Sequence, residues 1–285
     1  MNKQQNKVWF ITGASQGIGL SLTRQLLEQG YRVAATSRNL DQLQQAISST
    51  HNSFLPLALN ITDEASVTQA IAQTIETFGQ IDYVVNNAGY GLIGSLEELS
   101  DQEARQNFDV NVFGSLNIIR ATLPHLRQQG FGHIFNISSI AGMSGDYPGF
   151  GIYCATKFAV IGFTEALAME VKDFNIKVTA VLPGYIRTNF LKAGSVVTAK
   201  KQLPKYQSTR EMQRLHQEQI NGNQPGDPEK AVAAIINAAQ VENPPLHLLL
   251  GSDALELATN KLYALQAEFA QWAPVSQSVD FAVEA

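Results

Sequence analysis

The chain has 285 residues, a net charge of −5, 45% hydrophobic and 16% charged residues, the balance of a globular protein with a sizeable core. The mild acidity argues against a nucleic-acid binder, and a single cysteine, Cys154, excludes an intramolecular disulfide and fits a reducing compartment. The polar start Met1–Lys7 lacks the apolar core of a secretory leader, and no run reaches the roughly 18 apolar residues of a membrane span, so a soluble cytoplasmic protein is expected.

Short apolar runs alternate with helical patterns along the first two-thirds of the chain. Val8–Thr12 reads as a buried strand, followed by a glycine-rich turn and a helix over Ile18–Glu28. Next come Arg32–Ser37 (strand), Leu40–Ile47 (helix), Phe54–Leu59 (strand), Ala65–Phe78 (helix) and Ile81–Val85 (strand). Asp101–Arg127 reads as one long helix, opened by a capping box of Ser100 with Glu103. His133–Ile137 is a strand, Tyr153–Val171 a helix and Lys177–Leu182 a strand. Phe190–Gly226 interrupts the pattern as a polar insert poor in strand signals, with a helix near Ser208–Gln219. Asp227 and Pro228 then start another helix, Leu246–Leu250 is a last strand, Ala254–Trp272 is helical, and the tail to Ala285 is expected to be loosely held. Strands alternating with helices predict βαβ units. The fold class is therefore α/β, a single-domain Rossmann-type doubly wound parallel sheet of about seven strands flanked by helices, with its ligand crevice at the strand C-termini.

The turn Thr12–Gly19, with Gly13, Gly17 and Gly19, lies where a strand enters a helix. A helix N-terminus offers unpaired N–H groups and the positive end of a dipole, and glycines let a pyrophosphate approach the backbone. An ordinary strand–helix turn would look the same. At the end of the second strand an NAD site usually carries an acid for the adenosine ribose; here Ser37 stands there, followed by Arg38, which could hold a 2′-phosphate. The cofactor expected is NADP(H) in preference to NAD(H).

Tyr153 and Lys157, four apart on one helix face, form a candidate acid–base pair, because a neighbouring ammonium favours the phenolate and lowers the tyrosine pKa. Just upstream, Ser138 and Ser139 occupy the loop after the fifth predicted strand, where one hydroxyl could donate to a substrate carbonyl and the other could be structural. His51, His125, His133, His216 and His247 show no metal-like spacing, so no metal is expected. Cys154 reads as a packing residue. Lys200, Lys201, Lys205, Arg210 and Arg214 make the insert basic, either as a solvated face or as a lid over an anionic substrate.

With these motifs in place, the chain resembles the short-chain dehydrogenase/reductase superfamily over about Lys7–Thr188 and again at the C-terminal strand. Thr12–Gly19 matches the family's TGxxxGxG turn, Asn86–Gly89 its NNAG motif, Asn111 its helix asparagine, and Ser139 with Gly142 its catalytic serine. Tyr153–Lys157 matches its YxASK box with Thr156 for the usual serine, and Pro183–Gly184 with Thr188 its PG motif. The resemblance implies catalytic roles for Asn111, Ser139, Tyr153 and Lys157. Tyr153 would exchange the proton, Lys157 would bind the nicotinamide ribose, Ser139 would polarise the carbonyl, and Asn111 would help hold a proton-relaying water. It implies cofactor contacts from Gly13, Ser15, Gln16, Gly17, Ile18, Gly19, Ser37, Arg38, Asn60, Ile61, Asn87, Ala88, Gly89, Tyr153, Lys157, Pro183, Gly184, Ile186 and Thr188. Asn60 replaces the family's usual Asp at the adenine, and the Ser139–Tyr153 loop is about one residue longer than in many relatives.

The function expected is an oxidoreductase moving a hydride between nicotinamide and a carbonyl or alcohol substrate. Leu191, Val196, Val197 and Leu203 could give the insert an apolar inner face for a partly hydrophobic compound. A catalytically idle dinucleotide-binding sensor or scaffold is the alternative, and an epimerase using the same Tyr/Lys pair a third reading. By resemblance a homodimer or homotetramer is expected, pairing through the 101–127 and 153–171 helices. The helical tail after Gly251 could block one interface.

Overall fold

A computed structural model describes residues 6–49, 51–192 and 194–281. The expectations for the extreme N-terminus and for the last four residues of the tail fall outside them. In chain order the elements are β1 (Val8–Ile11), α1 (Gly17–Glu28), β2 (Arg32–Ser37), α2 (Leu40–Ala46), β3 (Phe54–Ala58), α3 (Glu64–Phe78), β4 (Tyr83–Asn86) and β5 (Gly91–Ile93). There follow α4 (Asp101–Phe108), a π turn (Asp109–Phe113), α5 (Gly114–Gln129), β6 (Gly132–Ile137), α6 (Gly151–Glu170) and β7 (Ile176–Pro183). The chain ends with β8 (Val196–Thr198), α7 (Gln207–Arg214) running into a second π turn (Leu215–Ile220), α8 (Pro228–Gln240), β9 (His247–Leu250) and α9 (Ser252–Gln277).

Seven strands form one parallel sheet in the order β3-β2-β1-β4-β6-β7-β9. β1, β4 and β6 are buried along their whole length, which explains their unbroken apolar runs. One core layer lies on the α1 and α8 face, where Trp9 stacks on Tyr83 at 4.3 Å between centroids. The other lies under α3, α5 and α6, built on Phe10, Val84, Ile118 and Ile134. The chain reverses direction across the sheet between β1 and β4, and that switch point opens the crevice used below.

Three differences from the sequence reading bear on the site. The single helix expected over 101–127 is interrupted by the π turn, because Asn111 turns its amide inward to bond Tyr90 and Thr156. The insert is not strandless: β8 pairs in parallel with β5, two segments of 3 residues each, too short to show alternation. Finally, α6 has the length and apolar composition of a membrane span, which the run-length reading missed. It is a core helix here, carrying Tyr153 and Lys157 into the interior and packing on β7.

Candidate active site

The glycine turn after β1 is shaped by close approach. Gly13 has φ of 66°, and a Cβ there would lie 2.9 Å from the Ala88 Cα. At Gly19 a Cβ would meet Asn87 Nδ2 at 2.5 Å and the Gly13 carbonyl at 2.6 Å. The first helix therefore starts flush against the loop after β4. Asn87 fixes that contact, donating from its amide to the Thr12 and Gly13 carbonyls at 2.9 and 3.0 Å. Thr12 Oγ1 in turn accepts from the Asn87 and Ala88 N–H groups at 3.0 Å. Asn86 lies in the sheet interior, bonded to Asn136.

Helices α2, α3, α4 and α8 are each capped by a side chain, from Asn39, Asp63, Ser100 and Asp227. α1 has no side-chain cap and no acid in its first turn. Its orphan N–H groups face the crevice, the arrangement a diphosphate fits.

The crevice is a cleft of about 990 Å³ that runs along the C-terminal edge of the sheet. Of the residues that the resemblance implied for a cofactor, all but Gly19 line it. Gly19 lies behind, in the turn packing just described. At one end Ser37 Oγ donates to Ser15 Oγ at 3.2 Å and accepts from the Asn39 N–H. Arg38 is exposed beside them, and among the described residues no carboxylate pairs with it. Asn60 is turned onto its own loop, where its Oδ1 accepts from the Thr62 N–H and hydroxyl at 3.2 and 2.9 Å. Thr188 closes the far side of the glycine turn, its Cβ 3.7 Å from where a Gly17 Cβ would stand.

In the middle of the cleft sit Tyr153, Lys157 and Ser139. The two serines separate by role in the geometry. Ser138 Oγ is buried and donates to the Lys157 carbonyl at 2.8 Å, holding β6 to α6. Ser139 Oγ accepts from the Ala141 N–H at 3.1 Å and lies within hydrogen-bonding reach of Tyr153. Lys157 Nζ is buried, 5.7 Å from the Tyr153 ring centroid, and donates to the Ile137 carbonyl at 2.9 Å. Burial lowers its pKa to about 8.

Tyr153 differs from the sequence expectation. Burial pushes its hydroxyl pKa up, and Ser139 opposes the rise only in part. The Lys157 charge is itself desolvated and turned toward Ile137, so it does not bring the tyrosine down. The phenol is therefore protonated at neutral pH, the state of a proton donor. Asn111 does not reach the cleft. It is buried beneath, accepting from the Tyr90 N–H at 3.0 Å and donating to the Tyr90 carbonyl and Thr156 Oγ1, both at 3.0 Å. Thr156 Oγ1 donates to the Tyr153 carbonyl at 2.7 Å, so Asn111 supports the start of α6 from below.

Beyond Tyr153 the cleft becomes aromatic, lined by Tyr147, Phe150, Tyr185, Phe190 and His216. His216 is buried. Its Nδ1 lies 2.9 Å from the Met212 carbonyl, which can only accept, so Nε2 is the acceptor for the Tyr185 hydroxyl, also at 2.9 Å. Burial lowers its pKa and keeps it neutral. The Tyr147 hydroxyl is buried with no hydrogen-bond partner. No sequence motif pointed to Tyr147 or Tyr185, because their proximity depends on the insert folding back.

The insert is tied down. Arg210 pairs with the buried Glu98 at 2.7 Å, and Glu98 Oε1 accepts from the Leu203 N–H at 2.6 Å. Gln16 donates to Ser195 Oγ at 2.9 Å across the cleft mouth. Leu191 and Val197 line the cleft, whereas Val196 packs into a satellite core with Ile93. Among the described residues no cluster of potential metal ligands occurs. Cys154 is buried, and burial raises its thiol pKa to about 11, so it carries no thiolate at neutral pH.

The short chain dehydrogenase family profile matches residues 7–196. A 3-ketodihydrosphingosine reductase of Bacteroides thetaiotaomicron is 37% identical over 249 residues, covering 87% of this chain and 88% of its own. The crystal structure of a short-chain dehydrogenase from Streptomyces avermitilis superposes with a TM-score of 0.88 at 36% identity, over 96% of this chain and 100% of that one. A short chain dehydrogenase from Burkholderia cenocepacia, solved in complex with NADP, gives a TM-score of 0.71 at 27% identity over 93% and 96% of the two chains. With the sheet order, the glycine turn and the Ser–Tyr–Lys cluster already in place, these matches show that the chain belongs to the short-chain dehydrogenase/reductase superfamily of oxidoreductases.

Proposed function

We propose that this protein is an NADP(H)-dependent carbonyl reductase, reversible as an alcohol dehydrogenase, with Tyr153 as the proton donor and acceptor. The observation that carries the reading is a buried Tyr153 beside Ser139 and Lys157 in the middle of a cleft whose other end is an uncapped helix N-terminus. The nicotinamide, when bound, supplies or takes the hydride.

The chain's own residues do the rest. Tyr153 gives its phenolic proton to the substrate oxygen during reduction and takes it back during oxidation. Ser139 donates its hydroxyl proton to the same oxygen and so polarises the carbonyl. Lys157 uses one N–H on Ile137, which leaves two to hold the ribose hydroxyls. Asn111 and Thr156 position the helix that carries Tyr153 and Lys157. The π turn around Asn111 displaces backbone carbonyls from α-helical bonding.

The NADP(H) preference rests on Ser37 in place of an acid and on Arg38 at the cleft edge. The substrate end suits a partly hydrophobic carbonyl compound, with the orphan Tyr147 hydroxyl available for a second polar group. Of the basic residues in the insert, Arg210 is already paired with Glu98, while Lys200 lines the cleft. Exposed Phe113 in the first π turn and Phe158 on α6 support homo-oligomer pairing through these helices, as the resemblance implied.

The test is oxidation of NADPH and of NADH, followed by loss of reduced-nicotinamide absorbance, against a panel of ketones and aldehydes. Turnover with NADPH exceeding that with NADH is expected. Tight NADPH binding without turnover across the panel would favour an idle binding protein instead.

A further inference from the structure

Helix α9 is 26 residues long, about 39 Å at 1.5 Å per residue. Its buried residues, Ala254 and Ala258, lie near its start and pack with Ile140. Farther along, Leu255, Leu262, Phe269 and Trp272 are each more than half exposed. Their spacing is regular. Leu255, Leu262 and Phe269 fall seven apart, and Ala258, Leu265 and Trp272 form a second row offset by three. That is the seam of a two-helix coiled coil, and its far half has nothing packed on it among the described residues.

We infer that α9 pairs antiparallel with α9 of a second copy, about a two-fold axis that crosses the helices near Tyr263 and Ala264. In an antiparallel pair the residues of one row face those of the other. Leu255 then meets Trp272 of the second copy, Leu262 meets Leu265, and Phe269 packs on the exposed Leu255 and Leu262 and the half-buried Thr259, beside Ala258, which its own protomer already covers. A parallel pair would set Trp272 on Trp272, a clash.

The flanking charges select the same arrangement. Lys261 and Glu268 face each other across the antiparallel seam, twice by symmetry, with Thr259 and Gln266 on the other edge. In a parallel pair Lys261 would meet Gln266, and Glu268 would meet Ala273. A lipid surface is the poorer occupant, since Asp253, Glu256 and Glu268 outnumber the single Lys261 and anionic headgroups would repel them. This pairing uses a different face from α5 and α6 and does not depend on the assignment of the cleft.

The test is the assembled mass of the full chain by light scattering, with NADPH affinity as the check on folding. K261E alone and E268K alone each place like charges in both pairs. Each is expected to weaken this association at least ~10-fold and to halve the assembled mass. The double variant K261E/E268K restores opposite charges and is expected to restore the mass, which separates a lost contact from a misfolded helix. An unchanged mass in both single variants, no restoration in the double, or a wild-type protomer that floats with phosphatidylcholine/phosphatidylglycerol vesicles would overturn the proposal.

Discussion

Burying the Lys157 ammonium works against folding. Its pKa is lowered from 10.5 to about 8, whereas in the unfolded chain it keeps its ordinary value. Between those two pH values the unfolded chain binds the extra proton, so stability rises with pH across that window. Below pH 8 the whole penalty is present, about 3 kcal/mol. Lys157→Met removes it and forfeits the bond to the Ile137 carbonyl, about 1 kcal/mol. The variant should be more stable than wild type by about 1–2 kcal/mol at pH 7 and inactive, with the gain fading above pH 8. Urea melts at pH 7 and pH 10 check this, and an equally large gain at both would contradict it.

Arg38 gives a second test at this scale. Its charge-assisted bonds to a 2′-phosphate are worth about 1.5–3 kcal/mol. Arg38→Ala should therefore weaken NADPH by roughly tenfold or more and leave NADH within about twofold, as read by titration of nicotinamide fluorescence. Loss of both affinities in parallel would remove Arg38 from the phosphate site. Residue chemistry was partly legible in advance. The residues alone offered Ser138 and Ser139 as neighbours with one structural, the resemblance picked Ser139 as the catalytic one, and the bond from Ser138 to the Lys157 carbonyl gives Ser138 a structural role. The high Tyr153 pKa was not legible, because spacing places a lysine nearby without saying which way its ammonium points.

At the scale of elements, the π turn at Asp109–Phe113 is the feature that the sequence hides. The apolar pattern over 101–127 continues as one helix, and the extra residue shows only when Asn111 is seen bonding Tyr90 on both its N–H and its carbonyl. Asn111→Ala would leave the Tyr90 N–H and Thr156 short of partners, at about 1–3 kcal/mol for each buried group left unpaired. A loss of about 2–4 kcal/mol in unfolding free energy is expected, with kcat reduced at saturating cofactor beyond what the unfolded fraction explains. Wild-type stability in this variant would contradict the bonding described. The strands β5 and β8 were hidden for another reason. Each is too short for a periodic signal, and their pairing joins residues about a hundred positions apart. The capping box at Ser100 and the Asp227–Pro228 start were readable because caps act locally, within one turn.

For the whole molecule, strand–helix alternation and right-handed crossovers were enough to foresee a parallel sheet with its crevice at the switch point, and the seven-stranded order agrees. The substrate end was not foreseeable. It is assembled from the Tyr147 loop, the segment after β7 and the second π turn, brought together by long-range contacts such as Arg210–Glu98, Tyr185–His216 and the β5–β8 pair. The central claim is that one buried phenol, set over an otherwise complete cofactor cleft, makes this molecule a reductase. Turnover and NADPH affinity measured side by side for wild type and Tyr153→Phe test it most directly. The account predicts NADPH binding within about threefold of wild type and turnover lower by about 10²–10⁴-fold. A Tyr153→Phe protein that binds NADPH and still reduces carbonyls at the wild-type rate would contradict it.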